Sequence, residues 1–290
     1  MERSKLKKRL MFLAILGILA IFLCLELYRS SSYLTIDHYE VHTDQVTAPV
    51  RVVQLSDLHN AEFGPDNINL LSMVAAEEPD LILFTGDLVT GSIKETDVAM
   101  NLLERLVKIA PVYISIGNHE QLHQKNFGSD VTAMFEHRGA KVLEYAWEDI
   151  EVNGQSLRVG GISGCGLPAE FLKTGEANPE ECAFLEEFQD TARYTLLMCH
   201  MPVAWIRNSG IDYWDTDLVF AGHAHGGQVV LPGLGGVYAP DMGFFPGQLE
   251  GLISSDDGEK TLVLSSGLGS SSIIPRFNNP PQILVLDILP

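Results

Sequence analysis

The chain has 290 residues, 46% of them hydrophobic, and its formal net charge at pH 7 is −19. This length allows one large domain or two small ones, and the composition is not that of a disordered, coiled-coil or repetitive protein. The acidic balance argues against non-specific nucleic-acid binding, which needs a basic surface, so any anionic substrate must be held by something locally positive.

The N-terminus combines a basic start with a long apolar run. Residues 1–9 include five Lys and Arg residues, and residues 10–28, LMFLAILGILAIFLCLELY, are apolar except for Glu26. The run is near the ~20 residues that a helix needs to cross a bilayer. We expect an uncleaved transmembrane anchor, because the following residues offer no convincing signal-peptidase site; a cleaved signal peptide is the alternative. The basic start predicts a single-pass protein of the cell membrane with a cytoplasmic tail (1–9) and an extracytoplasmic body.

The next residues predict a linker and a first strand within 29–49, with SSS (30–32) as the linker. From residue 50, apolar runs ending in polar residues alternate with helical patterns. The expected strands are 50–57, 80–87, 112–120, 194–200 and 217–225, and the clearest helices are 66–78, 96–110 and 179–189. Strand–helix–strand alternation favours an α/β fold with parallel strand pairs, in one domain over 50–290. Outside the apolar run, an odd number of cysteines (Cys165, Cys182 and Cys199) favours buried thiols over a disulfide framework.

Five of these strands end in groups that can bind a metal ion or move a proton. The groups are Asp57-x-His59, Gly86-Asp87, Gly117-Asn118-His119-Glu120, His200 and Gly222-His223-x-His225. The carboxyl ends of strands in an open α/β sheet share one edge, where ligands bind, so these segments can converge there. Five of the nine histidines fall in them, although a core built for stability has no need of histidine.

Carboxylate, imidazole and amide-oxygen ligands suit Mn, Fe or Zn, and Mg less well. The groups offer more ligands than one ion needs, and two ions about 3.5–4 Å apart that share a bridging carboxylate would use them. Such a pair can activate water and neutralise the charge of a phosphate ester. The residues therefore predict two divalent metal ions, which would also supply the positive centre that the acidic body lacks.

In this order, DLH, GD, GNHE, a later His and GHAH over 57–225 resemble the signature of the calcineurin-like metallophosphoesterases. The segments GHAHGGQVVLPG and SSGLGSSSIIPRFNNPPQILVLDI are similar to the membrane-anchored or exported bacterial phosphodiesterases of this superfamily. The resemblance implies a four-layer α/β/β/α sandwich with two mixed β-sheets, preceded here by the transmembrane helix. It implies a phosphoester hydrolase, foremost a phosphodiesterase, in which a metal-bridging hydroxide attacks phosphorus.

The same resemblance implies a role for each motif residue. Asp57, His59 and His225 would hold the first ion, Asp87 would bridge, and Asn118, His200 and His223 would complete the second. His119 would sit beside the phosphate as general acid, next to Asn118 in the catalytic set. Related sequences often carry an acidic residue in the segment that is GGISGCG (160–166) here, where none is present.

Several alternatives stay open. Arg276 could contact a phosphate or be structural, and His123 could reach the substrate or be a solvated loop residue. The anchor favours a lipid-linked phosphoester, and relatives acting on UDP-diacylglucosamine suggest a pyrophosphatase-like lipid phosphohydrolase as the alternative activity. A catalytically silent metal-binding membrane protein is a further alternative, whereas a mononuclear zinc hydrolase would leave ligands unused and has no HExxH motif to support it.

Overall fold

A 31-residue helix, α1 (Glu2–Ser32), precedes the body in the computed structural model, which describes residues 2–290 and their side chains from residue 5 onward. Within α1, Lys5–Ser32 is long and apolar enough to cross a membrane, and its most apolar window packs against no part of the body. By length and composition it could be a membrane span or a signal sequence. The prediction of a linker at 30–32 is wrong, because these residues form the last turn of α1 and Ser30 is buried.

The first sheet has six strands. They are β1 (Thr35–His42), β2 (Val50–Leu55), β3 (Leu81–Thr85), β4 (Val112–Ser115), β5 (Lys141–Val142) and β16 (Gln282–Leu289). Their order across the sheet is β1-β16-β2-β3-β4-β5. β16 runs antiparallel to β2, and every other neighbouring pair is parallel. The sheet is therefore mixed.

The second sheet also has six strands. They are β6 (Ala146–Val152), β7 (Gln155–Ile162), β8 (Tyr194–Cys199), β9 (Leu218–Ala221), β14 (Gly251–Ser254) and β15 (Thr261–Leu264). Their order is β14-β15-β9-β8-β7-β6; the pairs at its two ends are antiparallel and the inner pairs parallel. Between β9 and β14, two small hairpins are formed by β10 (Val230–Leu231), β11 (Gly235–Gly236), β12 (Tyr238–Ala239) and β13 (Gly243–Phe244).

Helices cover the outer face of each sheet. On the first sheet they are α2 (Ile68–Ala76), α3 (Asp97–Leu106), α4 (Asn118–Phe127) and α5 (Val131–Glu136); on the second, α6 (Pro179–Gln189), α7 (Val203–Arg207) and α8 (Gly210–Tyr213). Because side chains alternate along a strand, Leu83 of β3 packs in the core between the sheets while Phe84 packs under the helices. In the same way, Leu196 of β8 packs between the sheets and Leu197 packs under the helices. The expected four-layer α/β/β/α arrangement with two mixed sheets is confirmed.

Several expected strands end early. The strand expected over 112–120 stops at Ser115, and Asn118 already begins α4. β9 stops at Ala221 rather than at residue 225. In both cases the polar motif residues lie just beyond the strand, where the backbone turns. Cys182 and Cys199 are buried, and all four cysteines are free.

Candidate metal centre

The polar groups that follow β2, β3, β4, β8 and β9 meet at one edge of the molecule, as the sequence predicts. Their ligand atoms form three groups, and within each group the atoms lie within 4.8 Å of one another. The groups are Asp57, His59 and His225; His59, Asp87 and His119; and Asp87, His200 and His223. His59 and Asp87 each belong to two groups, so the three groups form one continuous cluster.

Left-handed backbone turns present these side chains. The residues are Asp57, His59, Asp87, His223 and His225, with φ of 53°, 49°, 55°, 63° and 48°. A residue other than glycine costs about 1–3 kcal/mol in such a conformation, and strain of this kind collects at functional sites. Ala224, between the last two histidines, has a right-handed φ of −74°. The HAH segment is therefore coiled rather than extended, and its imidazoles join different groups.

Asp87 lies at the centre of the cluster. Its Oδ2 is 3.1 Å from Nε2 of His200 and 3.6 Å from Nε2 of His59, while its Oδ1 accepts the backbone N–H of His119 at 2.8 Å. His200 Nδ1 donates to the Thr85 carbonyl at 2.6 Å, which turns its Nε2 toward Asp87. One carboxylate oxygen thus faces imidazoles of two groups, a position from which it could bridge two ions.

Asp57 ties together the turns after β2 and β9. Its two carboxylate oxygens accept the backbone N–H of His223 at 3.2 and 3.1 Å, and its Oδ1 lies 3.5 Å from Nε2 of His225. A Cβ added at Gly222 would overlap Ser56 Oγ, and one added at Gly117 would overlap Asp87 Oδ1. Glycine is required at both positions because the backbone passes directly against the cluster.

The cluster fits divalent metal ions on three counts. Nε2 of His59 and Oδ1 of Asn118 are buried without a hydrogen-bond partner. An unpaired buried polar atom costs about 1–3 kcal/mol, so these atoms are best explained as ligands. Burial also lowers the pKa of His59 to about 3 and that of His225 to about 4, which keeps both rings neutral with a lone pair to donate. The set of carboxylate, imidazole and amide oxygen suits Mn, Fe or Zn.

His119 lies at the edge of the cluster, and each of its ring nitrogens contacts another residue. Its Nδ1 accepts the backbone N–H of Gly91 at 3.0 Å, and its Nε2 is 3.2 Å from Ser271 Oγ. The ring stands edge-on to His59, with centroids 4.5 Å apart. Because Nδ1 accepts, Nε2 carries the proton of the neutral ring and points it toward the mouth of the site.

Glu120, the last residue of GNHE, has a positioning role that the sequence alone does not reveal. Its buried carboxylate accepts the backbone N–H groups of Asp87 at 2.8 Å, Gly117 at 2.9 Å and Val89 at 3.1 Å. These bonds join the turn after β3 to the start of α4 and fix the backbone from which Asp87 projects.

Asp241 is a second residue that sequence reasoning missed. It lies in the turn between β12 and β13, with φ of 59°, and its Oδ2 is 3.1 Å from Nε2 of His223. With Nε2 donating to a carboxylate, Nδ1 of His223 is the nitrogen left for a metal ion. Nothing in the motif order marks Asp241, because an Asp in a turn is common.

The structure buries Arg276 against the cluster. Its Nε and Nη2 donate to the Gly269 carbonyl at 3.0 and 2.8 Å, and Nη2 also donates to the Ser266 carbonyl at 2.6 Å. The same Nη2 lies 3.5 Å from Nδ1 of His225. The guanidinium therefore holds a loop beside a candidate ligand, and its hydrogen bonds go to the protein rather than to an open pocket.

His123 lies outside the three groups. It is buried on α4, with Nδ1 2.6 Å from Ser129 Oγ and Nε2 3.3 Å from the Lys94 carbonyl. The alternative of a solvated loop histidine is wrong, because the ring is 2% exposed and both of its nitrogens are occupied.

A carboxylate does reach the 160–166 segment, from another element. Glu181 of α6 is buried, and its Oε1 accepts the backbone N–H of Gly166. Burial raises the pKa of Glu181 above its ordinary value. The acidic group missing from GGISGCG in sequence is therefore present beside it in space.

A family model and several known proteins are similar to this chain. A family model described as calcineurin-like phosphoesterase matches residues 50–227. An uncharacterized metallophosphoesterase of Aquifex aeolicus (strain VF5) is 27% identical over 96% of this chain and 98% of its own length. Phosphodiesterase YaeI of Escherichia coli (strain K12) is 25% identical, with 83% of each chain covered. Among solved structures, a 5'-nucleotidase precursor from Thermus thermophilus is 14% identical with a TM-score of 0.49, over 76% of this chain and 49% of that one.

Proposed function

Because the chain belongs to the calcineurin-like phosphoesterase family, we propose that it is a dinuclear metal-dependent phosphoesterase acting mainly on phosphodiesters. The observation that carries the proposal is the position of Asp87. Its Oδ2 faces Nε2 of His59 on one side and Nε2 of His200 on the other. A carboxylate between two sets of ligands is the arrangement that two ions sharing a bridging group would use.

Each ion has a set of residues to hold it. Asp57, His59 and His225 form the first set, Asn118, His200 and His223 the second, and Asp87 belongs to both. When bound, the two ions supply positive charge for the phosphate and activate water as a nucleophile at neutral pH. Mn, Fe or Zn suits these ligands better than Mg.

His119 faces the leaving group in this proposal. Its Nε2–H points to where Ser271 Oγ now lies, 3.2 Å away, and a substrate oxygen at that position would receive its hydrogen bond. The backbone N–H of Gly91 fixes the orientation of the ring. We infer a hydrogen-bond donor here, in place of the full general acid that the resemblance implies.

We infer a preference for diesters from the position of Arg276. A monoester dianion calls for a cation besides the metal ions, whereas a diester carries a single negative charge. Over residues 266–281, Arg276 is the only basic residue, and its guanidinium donates to backbone carbonyls. The similarity to the phosphodiesterase of E. coli supports the same preference.

The alternative within the same chemistry is a lipid phosphohydrolase of the UDP-diacylglucosamine pyrophosphatase kind. Helix α1 favours it, because a membrane span would hold the site near lipid phosphoesters. In either case we propose a single-pass protein of the cell membrane, with α1 as anchor and the catalytic domain on the extracytoplasmic side.

The test uses the full chain in detergent. Metal content is measured after loading with Mn, Fe, Zn or Mg, together with turnover of bis(4-nitrophenyl) phosphate and 4-nitrophenyl phosphate. We expect two ions per chain and faster turnover of the diester, with metal lost in Asp87→Asn and activity lost in both Asp87→Asn and His119→Ala. Asp215→Asn, an exposed carboxylate just before β9, is the matched control. Two bound ions without turnover of any ester would favour a catalytically silent metal-binding protein.

A further inference from the structure

The end of α1 is bonded to the segment that supports the metal centre. Oε1 of Glu26 accepts the backbone N–H of Asn278 at 3.0 Å, and Ser30 Oγ accepts the backbone N–H of Asn279 at 3.2 Å. Asn279 in turn donates from Nδ2 to the carbonyl of His225 at 2.7 Å. Two adjacent asparagines therefore connect the last turns of α1 to a candidate metal ligand.

Two loops surround this connection. The first site loop (228–247) contains the β10–β13 hairpins, and the second site loop covers 266–281. They are joined where Val230 N–H donates to the Phe277 carbonyl at 2.9 Å. The first loop touches the cluster through Asp241, and the second touches it through Ser271. The loops, the metal centre and the end of α1 therefore lie on one face of the molecule.

The two site loops carry almost no charge. After residue 29 the chain holds 13 basic and 36 acidic residues, about one residue in five. The two site loops together hold only Asp241 and Arg276. Arg276 is buried beside His225, and Asp241, whose side chain is about half exposed, contacts His223. In an otherwise acidic body, the two site loops thus expose a single charged side chain, Asp241.

The same loops expose large apolar side chains, which we name the apolar rim. Its members are Leu234, Tyr238, Phe244, Phe245, Ile273 and Ile274. In the described chain after α1, six large apolar side chains are more than half exposed, and five of them belong to the rim. The sixth is Tyr33, directly after α1. Exposed apolar groups gathered in this way mark a surface that binds another apolar surface.

We propose that the apolar rim lies in the surface of the bilayer that α1 spans, so that the metal centre opens toward the lipid headgroups and takes a lipid phosphoester as substrate. The substrate class rests on the proposed function. Only Tyr33 and Leu34 separate α1 from β1, and Leu34 is buried, so the body has little freedom to turn away from the membrane. Tyr and Phe side chains on the rim suit the boundary between headgroups and acyl chains.

The position of the rim is tested directly, without activity. The full chain, with Cys24→Ala and Cys165→Ser, carries a nitrobenzoxadiazole label on Phe244→Cys, on Ile274→Cys or on Tyr213→Cys. Tyr213 is the control because it is about half exposed and lies five residues before β9, at the opposite edge of the sheet. In phosphatidylcholine nanodiscs containing doxyl-labelled lipid, we expect quenching of both rim labels to exceed that of the control label by about threefold or more. Equal quenching at all three positions would overturn the proposal.

The substrate class is tested with a matched pair of tyrosines. Tyr238→Glu changes the rim, and Tyr213→Glu changes a tyrosine of similar exposure away from it. For each variant we compare turnover of phosphatidyl-4-nitrophenol in vesicles with turnover of soluble bis(4-nitrophenyl) phosphate. Tyr238→Glu should lower the ratio of vesicle to soluble turnover about tenfold, because a charge on the rim opposes its insertion, and the control should keep the wild-type ratio.

The two experiments separate the possible failures. Turnover of the soluble diester without quenching of the rim labels would support the phosphoesterase activity and contradict the proposal that the site faces the membrane. Quenched rim labels without turnover of either ester would contradict the proposed function and, with it, the proposal of a lipid phosphoester substrate. An unchanged ratio in Tyr238→Glu, with quenched labels, would mean that the substrate is soluble.

Discussion

The backbone N–H of Gly91 points at Nδ1 of His119, 3.0 Å away. If His119 were fully protonated, two N–H donors would face each other at this distance. The neutral ring therefore carries its proton on Nε2, on the side of Ser271. This contact bears on two possible roles of His119: donating a hydrogen bond to the leaving group, or transferring a proton to it.

We expect His119→Ala to slow turnover by about 10²–10³-fold, the usual cost of removing one hydrogen-bond donor to a developing oxyanion. The loss should be similar for diesters with a 4-nitrophenolate and with an alkoxide leaving group, since a hydrogen bond acts on both. The measurement is kcat/KM for the two esters, with the exposed His137→Ala as control. A loss about tenfold or more greater for the alkoxide would show that His119 transfers its proton completely.

Asp241→Ala should weaken metal binding, because the contact of His223 Nε2 with Asp241 at 3.1 Å orients this ligand. Removing a partner of this kind typically costs about 10–100-fold in metal affinity. Asp241→Asn should restore part of the loss, since its amide oxygen still accepts from Nε2. Metal content and affinity are measured by titration calorimetry, with Asp215→Ala as control. Equal affinity in all three variants would make Asp241 an ordinary turn residue.

Arg276→Ala should destabilise the fold by about 2–4 kcal/mol, because it leaves the buried carbonyls of Ser266 and Gly269 without donors. Arg276→Lys should recover little of the lost stability, since an ammonium group cannot reproduce the hydrogen bonds of the planar guanidinium. Urea unfolding measures the change. Arg138→Ala is the control, because its partly exposed pair with Glu104 at 2.9 Å should contribute at most about 1 kcal/mol. If the two alanine variants lost the same free energy, Arg276 would not support the second site loop.

Glu181 predicts a pH dependence of stability. Burial raises its pKa in the folded protein above the ordinary 4.5, so its carboxyl binds a proton more tightly when folded. Its contribution is therefore full below pH 4.5 and falls as the pH rises through the folded pKa. We expect Glu181→Gln to gain stability relative to the wild type as the pH is raised from 4 to 8, measured by urea unfolding at each pH. A constant difference between the two proteins would mean that the carboxyl does not titrate in this range.

Much of the fold could be read from residue patterns because strands and helices alternate regularly. The helix expected over 179–189 matches α6, since Pro179 marks its start and Asn178 caps it. The expected strands 112–120 and 217–225 run too far, because apolar patterning does not show where the backbone turns left-handed. The order of strands in the two sheets depends on long-range pairing, so the sequence does not predict it; only the four-layer arrangement with two mixed sheets follows from the family resemblance.

The motif residues of the site were predictable because the ligand types are rare and each follows a strand. Their supporting residues were not. Asp241 reaches His223 across 18 residues, and Glu181 reaches Gly166 across 15, through contacts that only the folded loops create. The sequence allows Arg276 as a substrate contact, because nothing in its sequence context shows that its guanidinium already donates to backbone carbonyls.

The pairing of β1 with β16 has a consequence for how the chain is made. β1 begins three residues after α1 ends, and its only partner in the sheet is β16, at the end of the sequence. All eight residues of β1, Thr35 to His42, are matched to residues of β16. Helix α1 and β1 therefore leave the ribosome long before the strand that pairs with β1. Until Gln282–Leu289 has emerged, β1 has no partner strand and β2 has an open edge, so the first sheet can close only after all the other strands have been made.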